Sequence, residues 1–415
     1  MTEWREVRLG DLGNVVTGGT PAARNADWFG VETPFITPTD IGSTERRARV
    51  ERWLSAAGRA GFRKKLLPTG TVCFVSIGAT IGKLCLTDAE AVTNQQINSI
   101  VPNNDVDARF LYYLLRHQAP RIAQTAGGAA TPIINKSTLS NVSVLVPDSG
   151  IQARIGLVLG ILDDLIENNH RSVVVLEQMA RAIYREWFVR FRFPGHANVE
   201  LVDSNLGPIP EGWRRTELQR IAKVNATSRT LSPEEVIRYL DISALSEREI
   251  TALASIPGTE APGRARRVVR PGDIVWSMVR PNRRAHALLV SPGDDWIAST
   301  GLAVLTPVSV PSSYLFETVS AVEFSDFLVS RESGAAYPAV KPKDFEGAAV
   351  LLPDSQTLGE FDSAVGPMHR MAWDLREESA SLAAMRDLLL PKLVTGQRDV
   401  SSLDLDALGD AAVAA

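Results

Sequence analysis

Residues 128–148 read GAATPIINKSTLSNVSVLVPD, and residues 334–354 read GAAYPAVKPKDFEGAAVLLPD, with no gap between the two runs. A repeat of this kind decides an architecture, because each copy is one folding unit. Working outward, more pairs appear in the same order. Trp4-Arg5 with Leu9, Leu12 and Val15 matches Trp213-Arg214 with Leu218, Ile221 and Val224. Asp40-Ile41 matches Asp241-Ile242, and residues 69–74 (TGTVCF) match residues 271–276 (PGDIVW). All lie at offsets slightly above 200 residues. Each half opens on a Trp and an alternating apolar pattern. Short β-type runs bounded by Gly and Pro follow at 72–77 and 273–279. A helical segment is predicted at 110–116 and again at 314–322. A last apolar strand ends at Pro147 or Pro353. Each half reads as a mixed α+β domain of about 150 residues.

After each of those prolines the period changes. Ile151, Ile155, Val158, Leu162, Leu165, Asn169, Val173, Leu176, Ile183 and Trp187 follow steps of mostly three and four; Phe361, Val365, Met368, Ala372, Leu375, Ser379 and Leu382 do the same. Such a seam predicts two long helices with one apolar stripe each. A dimerisation coil would show the same seam, but this chain carries both partners itself. The simplest packing is an antiparallel pair. Residues 193–210 (FPGHANVELVDSNLGPIP) are rich in Gly, Pro and Asn and read as a linker.

Bulk properties bound the function. A chain of 415 residues, 45% hydrophobic and 22% charged, suits a globular protein of several domains. Two cysteines, Cys73 and Cys85, form no metal motif and fit a reducing cytoplasm. No signal peptide or membrane-length apolar run is seen. The net charge of −4 runs against nucleic-acid binding, but the acidity gathers from Asp354 onward.

Catalytic motifs are missing. Gly78-Ala79-Thr80-Ile81-Gly82-Lys83 has three residues between its glycines where a phosphate loop needs four, and Leu84 stands where Ser or Thr should bind magnesium. No G-x-S-x-G, H-E-x-x-H or dinucleotide fingerprint appears, and no two histidines share metal-ligand spacing. The Asp-Pro-Pro-Tyr or Asn-Pro-Pro-Tyr signature of amino-methyltransferases is absent. No catalytic residue and no metal ligand is therefore assigned.

Basic clusters are present at matching places. The first half carries Arg46, Arg47, Arg49, Arg52, Arg59, Arg63, Lys64 and Lys65; the second carries Arg264, Arg266, Arg267, Arg270, Arg280, Arg283 and Arg284. Such residues neutralise phosphates, and Arg reads guanine with two hydrogen bonds. A solvated basic face is the alternative. Asn94, Gln95, Gln96 and Asn98 lie between strands, where amides pair with adenine or cap turns; their counterparts are Ser299, Thr300, Gly301 and Ala303. Residues shared by both halves (Trp4/Trp213, Asp40/Asp241, Pro132/Pro338) hold a common fold. Polar residues that differ suit the reading of different bases. The DNA-contact candidates are therefore Arg46, Arg47, Arg49, Lys64, Lys65, Lys83, Asn94, Gln95 and Gln96, with Arg264, Arg266, Arg267, Arg280, Arg283 and Arg284.

Four stretches carry a family resemblance: WREVRLGDLGNV from Trp4 with Gly18-Gly19-Thr20-Pro21; residues 182–189 (AIYREWFV) running into 191–195 (FRFPG); residues 207–213 (GPIPEGW); and residues 388–396 (LLLPKLVTG). Together they resemble the specificity subunit of a Type I restriction–modification system, from Trp4 to about Val400. The resemblance implies an α+β chain of two repeated target-recognition domains separated by two long helices that form an antiparallel coiled coil. It implies a first recognition domain at 1–149, a helical spacer at 150–193, a linker and second recognition domain at 194–353, a second spacer at 354–400 and an acidic, Ala-rich tail at 401–415. It further implies a bipartite double-stranded DNA target and docking of two methyltransferase subunits and of motor-nuclease subunits. S-adenosylmethionine is expected in the methyltransferase, and no cofactor in this chain. No membrane partner is expected. An interaction scaffold and an enzyme with an unrecognised site are the competing readings. Salt-dependent DNA binding and metal-dependent cleavage by the chain alone discriminate them.

Overall fold

The computed structural model describes residues 4–22, 25–42, 45–126, 132–204, 207–334 and 338–402. Residues 128–131 and 335–337 of the repeated stretch lie outside the described residues. The rest of that stretch forms a strand and then launches a helix in both halves. Strand Ser143–Val146 pairs antiparallel with Arg5–Arg8, and strand Ala349–Leu352 pairs antiparallel with Arg214–Glu217. Asp148 and Asp354 then accept from the backbone N–H of Ile151 (3.0 Å) and Thr357 (2.9 Å). An aspartate in that position satisfies one of the N–H groups that a helix start leaves unpaired. The helices Ser149–Tyr184 and Ser355–Val394 begin there.

The chain divides into two compact units, Met1–His170 with Glu377–Ala415, and Arg171–Arg376. Each unit takes one globular lobe and its own length of both long helices. The first lobe holds two four-stranded sheets. One has the order Gly13–Thr17, Ile97–Pro102, Val72–Val75, Leu84–Leu86; the other has the order Phe29–Gly30, Trp53–Leu54, Thr33–Ile36, Val92–Thr93. The second lobe repeats the first sheet as Ala222–Val224, Leu302–Pro307, Ile274–Ser277, His286–Leu288; its other sheet has the order Ala254–Pro257, Val236–Leu240, Trp296–Ser299, Ala265–Val268, with the outer strand added on the opposite side of the parallel pair. In each lobe one pair of the second sheet is parallel, Thr33–Ile36 with Val92–Thr93 and Val236–Leu240 with Trp296–Ser299. Cys73 and Cys85 face each other across two strands, where the second lobe has Val275 and Ala287. Both thiols are fully buried and fill apolar positions.

The helix expected at 110–116 runs farther, from Ala108 to Gln124, and continues through Pro120. Its N-cap Asp107 accepts from Phe110 N–H at 2.8 Å. Phe110, Leu111, Tyr113 and Leu115 are buried against the sheet and against Ile155 and Leu159 of the first long helix. Gly156 permits this approach: a Cβ there would lie 2.4 Å from Asp107 Oδ1 and 3.0 Å from Phe110 N. The matching segment of the second lobe is two helices, Ser312–Ser320 and Val322–Arg331. The break falls at Ala321, whose backbone is extended (φ −64°, ψ 148°), and the preceding Ser320 carbonyl accepts from Arg284 Nη2 at 2.7 Å.

Within each unit the long helices run antiparallel. In the first, Arg386 Nη1 donates to Asp163 (2.6 Å) and Asn169 Nδ2 donates to Glu378 (3.0 Å). In the second, Arg376 Nη2 donates to Glu177 (2.7 Å), and Phe361 packs on Tyr184 and Trp187. The predicted seam is buried at Ile151, Ile155, Leu162, Asn169 and Val173, and at Phe361, Val365, Ala372 and Ser379. The second helix continues through Pro367 and Pro391. Each proline forfeits one helix hydrogen bond, and Leu390, Leu393 and Val394 beside Pro391 are buried in the first core. The first helix ends in a π-turn, Arg185–Val189, followed by Phe191 at φ 58°. There Phe188 packs 4.8 Å from Tyr314 and 4.9 Å from Phe361, and Phe193 packs 4.8 Å from Trp213. Among the described residues no helix is long and apolar enough to cross a membrane.

Candidate nucleic-acid interface

The amide run of the first lobe forms a turn where several strands end. Asn94 N–H donates to Ile36 O (3.0 Å), Ser76 N–H to Gln96 O (2.8 Å) and Gly19 N–H to Thr93 O (2.8 Å). Asn94 is buried; its Oδ1 accepts from Gln96 N–H at 3.0 Å and its Nδ2 donates to Gln96 Oε1 at 3.2 Å. Thus Asn94 shapes the turn, while Gln95 is exposed at its tip and bonded to Thr20. Lys65 Nζ reaches Gly18 O at 2.6 Å and joins the same group. Gly18 is required here, since a Cβ would lie 2.1 Å from Asn94 O. Asn98, deeper in the sheet, bonds Ser76 Oγ and Ile134 O and is a core residue.

The second lobe builds the same place from other residues. Met278 N–H donates to Gly301 O (3.0 Å), as Ser76 does to Gln96. Thr300 N–H donates to Arg264 O (2.7 Å), so this turn sits beside an arginine. Arg264 is exposed; its Nε donates to Tyr239 OH (3.0 Å) and its Nη2 to Asp241 (2.6 Å). These two bonds raise its pKa and orient a permanent cation. Arg266 is exposed and bonded to Gly263 O, and the half-buried Arg267 bonds Ser228 Oγ.

The turns at 78–82 and 280–284 also correspond. Gly78 and Gly82 have φ of 79° and 93°; Arg280 and Arg284 take φ of 53° at the equivalent places. Non-glycine residues occupy this region only when the surroundings impose it. Here Arg280 N–H donates to Pro338 O (2.8 Å), Ser325 Oγ donates to Pro281 O (3.3 Å), and Arg284 bonds Ser320 O and Glu247. Asn282 and Arg283 are left exposed at the tip. Lys83, in the first lobe, is turned inward and donates to Ile41 O at 3.0 Å.

The first basic run does not form one surface. Lys64 is exposed, and Arg49 is exposed in a pair with Glu45. Arg47 is half-buried and pairs with Glu167 of the first long helix at 3.2 Å. Arg46 is only 6% exposed and bonds Asp164 and Gly160 O of that helix. A basic run suits a phosphate contact, but the structure gives the Arg46 guanidinium to the first long helix instead. Beside it Tyr113 OH donates to Asp163 (2.5 Å) and to Leu159 O (2.9 Å).

Arg248 of the second lobe lies outside both basic runs, and the sequence reading passed it over. It is 4% exposed, at φ 63°, and its guanidinium bonds both oxygens of the buried Glu317. Its Nε lies 3.4 Å from Glu177 of the first long helix. His369 Nε2 of the second long helix contacts Glu317 at 2.8 Å. Burial alone would raise the Glu317 carboxyl; Arg248 and His369 reverse this and hold it at about 2. The repeat could have found Arg248, since it falls opposite Arg46.

The two lobes are duplicates, each carried on its own length of both long helices and each bearing an equivalent surface turn. Residues 1–178 match the family described as "Type I restriction modification DNA specificity domain". Over 413 residues the chain is 25% identical to the Type I restriction enzyme MjaIX specificity subunit of Methanocaldococcus jannaschii, covering 97% of this chain and 95% of that one. It is 33% identical over 153 residues to the HindI specificity subunit of Haemophilus influenzae, covering 36% of this chain and 33% of that one. The fold is shared with the Type I S subunit of M. genitalium, at a TM-score of 0.61 and 15% identity over 94% of this chain and 96% of that one. Over nearly its whole length the chain is therefore similar to specificity subunits of Type I restriction–modification systems, and its first 178 residues match their DNA specificity domain.

Proposed function

We propose that this chain is the non-catalytic reader of a bipartite DNA sequence, one lobe for each half-site, and that it docks two methyltransferase subunits and, where present, motor-nuclease subunits. The observation that carries the reading is the pair of equivalent turns: Asn94–Gln96 in one lobe and Ser299–Gly301 in the other share a backbone frame and differ in polar side chains. A common frame with different hydrogen-bonding groups suits the reading of two different short sequences. Gln95, Arg264, Arg266 and Arg283 are the exposed groups best placed for base or phosphate contact; Arg49 and Lys64 are suited to phosphates. S-adenosylmethionine belongs to the methyltransferase, which would flip the target adenine out of the duplex.

The test is co-expression with the neighbouring methyltransferase gene and genome-wide mapping of methylated adenine. The expected result is a split motif, two short defined parts around a fixed unspecified gap. A stable complex that leaves no motif would sink the reading. Replacing Arg264 by Ala should relax or weaken only the half-site read by the second lobe, by about 1–3 kcal/mol at the affected base pair.

A further inference from the structure

Arg46 and Arg248 are 202 positions apart, as are the strands that begin at Val72 and Ile274. Tyr113 and Glu317 occupy the same turn of the lobe helices that begin at Ala108 and Ser312. Asp163 and His369 each stand 14 positions after the first residue of a long helix, Ser149 or Ser355. Three positions thus recur in both units: an arginine from a lobe loop, a polar residue from the lobe helix, and a polar residue of the long helix that follows that lobe. All six side chains are buried.

Their chemistry differs between the units. In the first, the acid is on the long helix, as Asp163, with Asp164 next to it taking Arg46. In the second, the acid is on the lobe, as Glu317, and takes both Arg248 and His369. Burial in both copies, with the polarity inverted, means that the repeat has preserved a place of attachment rather than a particular ion pair. A phosphate contact would need an exposed cation, and neither arginine is exposed.

We propose that these two triads are positioning elements that fix each lobe at one orientation on its length of helix, and so fix the gap between the half-sites. Arg46 and Arg248 act through the helix and touch no DNA. This rests on the bipartite reading above.

The experiment uses the full chain with its methyltransferase partner, comparing wild type with Arg46→Gln and Arg248→Gln. Two quantities are read: the methylated motif with its gap, and the slope of DNA affinity against salt. The expected result is that the bases of both half-sites and the salt slope stay unchanged. Methylation at sites one base pair longer or shorter should rise at least threefold relative to the native gap. A slope lowered by about one counterion would make Arg46 a phosphate contact and overturn the proposal. So would an unchanged gap preference, or loss of base preference in one half-site. Should either glutamine variant fail to fold, Tyr113→Phe removes only the hydroxyl that bonds Asp163 and Leu159 O, and the same outcomes decide. If the wild type yields no split motif, the bipartite reading itself fails, and the salt comparison still decides whether Arg46 contacts DNA.

Discussion

His286 is fully buried in the second lobe, stacked on Trp276 at 5.7 Å, with Nε2 2.8 Å from Ser320 Oγ. Burial, then the nearby Arg248 charge, lowers its pKa to about 3. An unfolded histidine titrates near 6.5, so below that pH the unfolded chain takes up a proton that the folded chain refuses. The stabilising difference is fully present above about pH 6.5 and falls by up to about 1.4 kcal/mol per pH unit until about pH 3. Glu317 adds to this at lower pH: its depressed carboxyl stabilises above about pH 4.5 and loses that contribution toward pH 2. Urea unfolding of His286→Gln between pH 7 and 5 should show a flatter pH dependence than wild type. An equal slope in both would remove His286 as the cause. At this scale the sequence was least informative. Arg46 and Arg49 stand three residues apart in one basic run, yet one is interior and the other at the surface. What separates them is Gly160 and Asp164, more than a hundred residues downstream, and a linear sequence does not display that encounter.

The helices and their starts were the most legible elements. The sequence reading put the change of period directly after Pro147 and Pro353, and the caps Asp148 and Asp354 stand at those points. Asp354 also accepts from Trp213 Nε1 at 2.9 Å, tying the helix start to the second lobe's opening Trp. Asp148→Ala should cost about 0.5–2 kcal/mol in thermal or urea unfolding, the usual worth of a cap. Asp354→Ala should cost more than Asp148→Ala because of the Trp213 bond. Equal losses would show that bond to contribute nothing. The lobe helix runs past its expected end at residue 116 and through Pro120, where the buried Ala119 and Ile122 hold it against the core. Tyr113→Glu would set a second carboxylate against Asp163 in the interior. An unpaired buried charge of this kind should cost at least about 3 kcal/mol, whereas Tyr113→Phe should cost about 1–2 kcal/mol.

The duplication was legible at the scale of the whole molecule because both halves keep the same residues at strand ends and turns. The division into units was not legible, since it runs across both long helices, at His170/Arg171 and at Arg376/Glu377. A matched insertion of four residues in both helices at that division leaves each unit's own contacts in place. At about 1.5 Å per residue it adds about 6 Å, which corresponds to about two base pairs at about 3.4 Å each. The mapped gap should lengthen accordingly, and an unchanged gap would refute the helices as a ruler.

The same division has a consequence for how the chain is made. The first lobe's core is closed by Leu390, Leu393 and Val394, and its Asp163 is matched by Arg386. Those residues leave the ribosome more than two hundred positions after the lobe they complete. The domain synthesised first is therefore the last to be finished, and must wait with part of its apolar surface uncovered. Removing residues 377–402 should expose the amino-terminal lobe to proteolysis while the later lobe keeps its core, so that damage at one end of the gene is felt at the other.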